Sequence, residues 1–153
     1  MNKKGFTLIE LLAVIVVLGV VLMLAMPSIL DSINASRNAS YKVLMGNIKT
    51  AAETYYQECE YGDLSNKAKY GNYACTINNN TITTTIGALA NTGILKVAAD
   101  ESGNLIVNDP RDTTKNLNSC GIQIIKTVDS NFKVTYQING SDQTGCPTSE
   151  DLQ

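Results

Sequence analysis

The sequence predicts an α+β protein in which one long N-terminal helix packs on a small antiparallel β-sheet. Three observations lead to this class. Residues 5–26 are almost wholly apolar, residues 28–60 carry apolar side chains at spacings of three and four, and residues 122–138 alternate between apolar and polar side chains around a turn. A helix with an apolar stripe covering one face of a sheet is a stable two-layer arrangement.

The first element is the apolar run, in which only Thr7 and Glu10 are polar from residue 6 onward. A helix of this length reaches about 30 Å, the thickness of a bilayer core. Lys3 and Lys4 precede it, and no comparable basic cluster follows closely. By the positive-inside bias, this run is expected to span the membrane once, with its N-terminus in the cytoplasm. The residues that follow it are expected on the outer side of the membrane.

Glu10 is not expected in a helix that serves only as a membrane anchor. A carboxylate at the bilayer centre raises the free energy of membrane insertion by about 2.5–3.5 kcal/mol. We therefore expect it to have a partner. The nearest candidate charge is the α-amine that would exist if the chain were cut before Phe6, in the same chain or in a staggered neighbour. A secretory signal peptide and a simple anchor both leave Glu10 unexplained, and Ala25-Met26-Pro27 is a poor signal-peptidase site.

Residues 4–10, KGFTLIE, resemble the class III signal of type IV pilins, with a basic leader, a Gly, a Phe and then a Glu. The resemblance implies the type IV pilin fold and a leader of residues 1–5. It also implies cleavage between Gly5 and Phe6 by a prepilin peptidase, N-methylation of Phe6 and an assembly role for Glu10. Pro27 matches a Pro that many family members carry near the end of the hydrophobic half, and it is expected to kink the helix.

The amphipathic half of the helix is expected over residues 28–60 and the globular head over residues 61–153, after a filament-core or transmembrane half at residues 6–27. Both halves together would make one helix of roughly 80 Å. Its second half is predicted to pack on the head through a stripe of apolar side chains, namely Leu30, Ile33, Tyr41, Leu44, Ile48, Ala52, Tyr55 and Cys59.

Four cysteines in a small exported head predict two disulfides. Three pairings are possible, and we prefer Cys59–Cys75 with Cys120–Cys146 because each bond closes a local loop. The second pair also resembles the C-terminal loop disulfide of many type IV pilins. The alternative of a four-cysteine zinc site is disfavoured, because no C-x-x-C spacing occurs.

Elements of the head are predicted from turn signals and alternation. Residues 61–82 are predicted to form a loop pinned by Cys75, with a short strand as an alternative for part of it. A short helix or turn is expected between the Thr83–Thr85 run and Gly93. A short strand is expected at residues 105–107, with turns at residues 100–103 and 109–112. The clearest signal is a hairpin of residues 122–127 and 132–138, whose apolar face should meet the long helix. The tail from residue 139 is polar, and its last residues are expected to fray.

Composition excludes several function classes. The net charge of −2 becomes −4 without Lys3 and Lys4, which disfavours nonspecific nucleic-acid binding. The chain has no His, nucleophile elbow or Gly-rich phosphate loop, so no enzyme activity and no cofactor are expected. Asp100, Asp109 and Asp112 have no recognisable metal-loop spacing, so no metal site is predicted.

The resemblance therefore implies a structural pilin that polymerises with itself into a helical surface filament for adhesion or motility. Prepilin peptidase, an assembly ATPase and a platform membrane protein would be its partners. The protein would start as a single-span protein of the cytoplasmic membrane and end in an extracellular pilus. The alternative is a pseudopilin of a type II secretion or competence DNA-uptake system.

Overall fold

The computed structural model describes residues 7–141 and 143–153. The predicted leader, residues 1–5, and the predicted methylation site Phe6 lie outside the described residues. The chain divides into two compact units, Met1–Arg37 and Asn38–Gln153. Helix α1, Leu8–Tyr61, supplies residues to both of them.

The remaining elements all belong to the second unit. Two short helices, two strand pairs and their turns follow α1 along the chain. They are α2 (Lys67–Tyr70), a 3₁₀ turn (Gly71–Tyr73), β1 (Thr81–Thr85), α3 (Ile86–Asn91), β2 (Asn108–Asp109), β3 (Asp112–Asn116), β4 (Gly121–Val128) and β5 (Val134–Asn139). A long helix with a small antiparallel sheet confirms the predicted α+β class and is consistent with the type IV pilin fold.

The main sheet has the order β1-β4-β5, and both pairings are antiparallel. Its register places Ile82, Ile124 and Ile138 next to one another across the three strands. All three side chains are buried, so the sheet presents one apolar face to the core. The alternation predicted for the hairpin reflects this face, because side chains on a strand point to opposite sides with a period of two.

Helix α1 covers that core with the part of its apolar stripe that lies beyond Arg37. Its buried side chains occur at spacings of three and four, and they are Tyr41, Met45, Ile48, Ala51, Ala52, Tyr55, Tyr56 and Cys59. They form one cluster with the buried strand residues and with Leu89 of α3. Leu30 and Ile33, which were predicted to belong to the packed stripe, are instead 59% and 43% exposed.

Side-chain caps explain the short elements. Thr85 accepts a hydrogen bond from the Ala88 N–H, 3.2 Å away, and so begins α3 where the Thr run predicts a helix start. Asn66 caps α2 in the same way. Asn79 and Asn80 both have positive φ, and Asn78 and Thr81 exchange backbone hydrogen bonds across them. This is the geometry of a tight two-residue hairpin turn, which Asn tolerates well.

The structure differs from the predicted head elements at several points. Strand β1 includes Thr83 and Thr84 and ends at the cap residue Thr85, and strand β3 was not predicted. The expected strand at residues 105–107 is reduced to a single bridge between Leu105 and Ala99. The Asn118 side chain also bonds this segment, since it donates to the Leu105 carbonyl and accepts from the Val107 N–H. Phe132 is 88% exposed and has φ +61°, so it belongs to the turn and β5 begins at Val134.

The C-terminal segment is held against the protein rather than frayed. Leu152 is 1% exposed and belongs to the core cluster. The Thr148 N–H and hydroxyl both donate to the Asp151 carboxylate, at 2.8 and 2.9 Å. The Lys49 ammonium of α1 donates to the Gln153 carbonyl. One buried leucine and these polar bonds outweigh the entropy that would otherwise favour a loose tail.

Candidate functional site

The predicted assembly residue Glu10 lies in the first turn of α1 and is bonded to Thr7. The Glu10 carboxylate accepts from the Thr7 N–H at 2.9 Å and from the Thr7 hydroxyl at 2.8 Å. In return, the Glu10 N–H donates to the Thr7 hydroxyl oxygen at 3.3 Å. This reciprocal pair is a capping box, which satisfies N–H groups that the first helical turn leaves without partners.

The capping box gives Glu10 a partner inside its own chain that sequence reasoning missed. The signal was present, because a Thr followed three residues later by a Glu at the start of an apolar run marks a helix N-terminus. Both hydrogen bonds to the carboxylate end on Oε2. Gly5 and Phe6, the predicted cleavage pair, lie outside the described residues, so the proposed pairing of Glu10 with a Phe6 amine stays a prediction.

Apart from Glu10, the apolar half of α1 presents a continuous apolar surface. Every large apolar side chain from Leu8 to Leu22 is at least half exposed, and Leu8 reaches 82%. Within the described part of the chain, α1 is the one helix that is long and apolar enough to cross a membrane, and none of its apolar window is buried. A contiguous apolar surface of this size on a monomer marks a site that meets lipid or another protein.

Pro27 lies inside α1, which continues on both sides of it. A proline has no N–H, so the Met23 carbonyl one turn earlier loses its helical donor. Two serine hydroxyls bond to carbonyls nearby, Ser28 to Ala25 and Ser32 to Ser28, each at 2.9 Å. Hydroxyls of this kind are among the groups that bend helices. The kink at Pro27 stays a prediction.

Two disulfides tie the second unit together. Cys59 of α1 is bonded to Cys75, 16 residues later, and Cys120 is bonded to Cys146, 26 residues later. The first bond joins the end of the long helix to the segment before β1. The second joins the start of β4 to the C-terminal segment. Loops of these lengths give bonds worth about 3 and about 3.5 kcal/mol in the chain-entropy model.

The packed half of α1 begins where Arg111 covers Tyr41. The Arg111 guanidinium carbon lies 3.3 Å from the centre of the Tyr41 ring, a cation–π contact. The same guanidinium makes a bidentate ion pair with Asp109, which is 2% exposed. Burial by itself would raise the pKa of Asp109, but the hydrogen bonds from Arg111 lower it overall below its ordinary value.

The three aspartates that sequence reasoning weighed as metal ligands each form hydrogen bonds within their own turn, and Asp109 and Asp112 flank the same one. Asp100 accepts from the Ser102 and Asn104 N–H groups, Asp109 holds Arg111, and Asp112 accepts from Thr114. Among residues 7–141 and 143–153, no group of three or more Cys, Asp or Glu side chains is placed to hold a metal ion. Local hydrogen bonding accounts for these carboxylates.

One comparison with known protein families gives a match in the N-terminal segment. Residues 1–26 match the family model of the prokaryotic N-terminal methylation motif. This segment has the features of that motif. The match covers the Gly5–Phe6 junction, Glu10 and the apolar run up to Met26, which are the features on which the resemblance to a class III signal depends.

A longer match is to the fimbrial protein EcpC of Eikenella corrodens, which is 29% identical over 102 residues. The matched region covers 66% of this chain and 65% of that protein, so the chain spans slightly less than two thirds of the relative's length. No solved structure matches this chain. The motif and the fimbrial relative both support a type IV pilin with a class III signal.

Proposed function

We propose that this protein is the structural subunit of a type IV pilus that serves adhesion or motility. In this proposal residues 1–5 are a leader that a prepilin peptidase removes, and the Phe6 amine is then methylated. Residues 6–27 form the membrane and filament-core helix, residues 28–60 the amphipathic half, and residues 61–153 the head. The subunit is first anchored in the cytoplasmic membrane and is then assembled into an extracellular filament.

The observation that carries the proposal is the exposed apolar surface of α1 from Leu8 to Leu22, which lies inside the segment that matches the methylation motif. Such a surface is stable only in lipid or against other apolar helices. Leaving the bilayer therefore requires an equivalent apolar environment, and copies of the same helix supply it. A head-to-tail contact repeated by a rotation that does not close produces a helical filament. An assembly ATPase and a platform membrane protein would drive the transfer.

Glu10 sets the stagger between subunits in this proposal. Its Oε2 atom is bonded to Thr7, and its Oε1 atom can face the Phe6 amine of a neighbouring copy. In a dry filament core, an unpaired buried charge costs several kcal/mol. The carboxylate and the amine would therefore have to pair with each other there. The capping box then has a second effect, because it holds the carboxylate in one place before assembly.

Three variants separate the capping role of Glu10 from its charge. Glu10→Gln keeps a side chain that completes a capping box but removes the charge. Thr7→Val removes the cap hydroxyl but keeps the charge. Glu10→Val removes the charge and the carboxylate half of the box, while the Thr7 hydroxyl can still accept from the N–H of residue 10. We expect Glu10→Gln and Glu10→Val to abolish filaments at normal membrane levels of subunit. Thr7→Val should retain filaments, with helix stability lower by about 1 kcal/mol.

The readouts are membrane fractionation, filament counts by negative-stain electron microscopy and the intact mass of the cellular protein. The mass of the wild-type subunit should correspond to a chain that begins at methylated Phe6. Wild-type filament numbers in Glu10→Gln would contradict the charge pairing, and a mature chain that begins at Met1 would contradict the whole proposal. Filaments confined to the cell envelope would favour the pseudopilin alternative over a surface pilus.

A further inference from the structure

A cleft of about 430 Å³ lies on the second unit, between the segment that carries Cys75 and strand β1. This volume is within the range of small-molecule sites. We call it the Thr/Asn cleft, because its side chains are mostly hydroxyls and amides. Those that carry the argument are Tyr55, Asn72, Tyr73, Thr76, Asn78 and Thr83.

The lining of the Thr/Asn cleft is polar but uncharged. Among the described residues, no Asp, Glu, Lys or Arg side chain lines it. The other large cleft of the second unit, about 550 Å³, is different because Lys42, Lys49, Arg111, Glu150 and Asp151 line it. A ligand of the Thr/Asn cleft would therefore gain no ion pair there, which disfavours phosphates, carboxylates and cations.

Several lining groups still have hydrogen-bonding capacity. Within the described part of the chain, the side chains of Asn72, Thr76, Asn78 and Thr83 make no hydrogen bond to the protein, and all four are exposed. Each amide offers two donors and an acceptor, and each hydroxyl offers a donor and two acceptors. These groups can exchange bound water for the hydroxyl groups of a ligand without leaving a buried partner unsatisfied.

The walls of the cleft are fixed in place by buried contacts. The Tyr55 hydroxyl donates to the Tyr73 carbonyl at 2.9 Å, and Tyr55 itself is 1% exposed. The Cys59–Cys75 disulfide ties the same segment to α1. On the opposite side, β1 is paired with β4 along its whole length. A preformed site loses less conformational entropy when it binds a ligand.

Tyr73 adds an aromatic surface at this cleft. Its side chain is 43% exposed, although its backbone is anchored by Tyr55. An exposed aromatic ring beside neutral donors and acceptors suits a ligand with one C–H face and many hydroxyl groups. We infer that the Thr/Asn cleft binds a neutral saccharide unit, with Tyr73 against the sugar face and the Thr and Asn side chains on its hydroxyls. This inference does not depend on filament assembly.

The test is saturation-transfer NMR on the full chain in a zwitterionic detergent that contains no sugar. The neutral probes are methyl galactoside, methyl mannoside, N-acetylglucosamine and lactose, and the anionic probes are glucose 6-phosphate and sialyllactose. For a ligand of this size we expect Kd on the order of 1 mM for the preferred neutral sugar, from typical ligand efficiencies. Neither anionic probe should bind more tightly than that sugar.

Two variants and two matched controls locate the site. Tyr73→Ala should weaken binding by about tenfold or more, and Thr83→Ala by about threefold, as expected for one aromatic contact and one hydrogen bond. The controls are Phe132→Ala, an exposed aromatic elsewhere, and Thr113→Ala, an exposed Thr on β3. Both controls should bind as the wild type does. Tyrosine near-UV circular dichroism checks that each variant is folded, and Asn72→Ala replaces any that is not.

Three results would overturn the inference. The first is no transfer to any neutral probe at about ten times the expected Kd. The second is binding that survives in Tyr73→Ala and Thr83→Ala, or that is lost equally in the two controls. The third is tighter binding of an anionic probe than of every neutral one. Filament formation plays no part in these measurements, so their failure would leave the proposed function untouched.

Discussion

The two halves of helix α1 have similar helical geometry and opposite environments. From Leu8 to Leu22 the large apolar side chains are all at least half exposed, whereas Ile48 and Ala52 are fully buried by the rest of the second unit. The first half has apolar residues all round its circumference, and the second half has them on one stripe. The first half therefore leaves its apolar side chains exposed all round, as the proposed packing against lipid or other copies requires, and the second half uses them for the core of its own chain.

The largest expected effect comes from truncating a buried side chain in the packed half of α1. Ile48→Ala should lower the free energy of unfolding of the second unit by about 4 kcal/mol, because Ile48 is fully buried and the cavity cannot close easily. Val17→Ala, in the exposed half, should leave this free energy unchanged. Urea unfolding of the full chain in micelles, followed by tyrosine circular dichroism, measures both.

Tyrosine is a selective probe here because all seven tyrosines lie beyond residue 37, in the second unit, and the chain has no tryptophan. An equal loss of stability in Val17→Ala and Ile48→Ala would show that the first half also stabilises the second unit. The comparison between the two halves would then be wrong.

A smaller effect is expected where the packed stripe begins. Asp109→Asn should lower the free energy of unfolding of the second unit by about 2 kcal/mol, because it weakens the charge-assisted hydrogen bonds that hold Arg111 over Tyr41. The folded-state pKa of Asp109 is lowered, so its contribution is present above the unfolded value near 4 and is lost as pH falls through the folded pKa. The difference between wild type and variant should therefore shrink below about pH 4.

The pH dependence is read from urea unfolding of both proteins between neutral and acidic pH. A difference that stays constant down to the lowest pH would show that the Asp109 charge contributes nothing. Asp112→Asn is the control, since Asp112 lies near the same turn and pairs at 3.9 Å with an exposed lysine. Surface pairs of this kind contribute little.

The smallest effect uses two glycines at matching places in the two halves. At Gly19 and at Gly46, an added methyl group would meet no described atom within 4 Å other than the adjacent backbone of its own helix. Gly46→Ala should raise the stability of the second unit by about 0.5–1 kcal/mol through helix propensity alone. Gly19→Ala should not change it, and the same tyrosine-monitored unfolding checks this. A gain in Gly19→Ala would mean that the two halves fold as one cooperative segment.

Much of the architecture could be predicted because its causes are local. The long helix, the capped helix α3 and the β4–β5 hairpin each follow from periodicity or from one capping residue. The two disulfides join the pairs preferred from local loop closure. The capping box could also be predicted, because Thr7 and Glu10 have the required spacing. The prediction for Glu10 considered only its charge and not its hydrogen bonds to the backbone.

Other features could not be predicted, because they depend on contacts between distant residues. The strand character of β1 depends on its pairing with β4, some forty residues later. Phe132 looked like a core residue by alternation, yet the turn requires a positive φ there and exposes it. The Thr/Asn cleft exists only because the Cys75 segment lies beside β1.

By itself, the sequence determined the helix, its division into an apolar and an amphipathic half, and the N-terminal signal, because each is written in residue order and spacing. Only the tertiary structure decided where the packed stripe begins, that the C-terminal segment is anchored by Leu152, and that uncharged polar groups share one cleft. The physical reason is that burial is a property of the folded surroundings. Identical apolar side chains are exposed at one end of α1 and buried at the other.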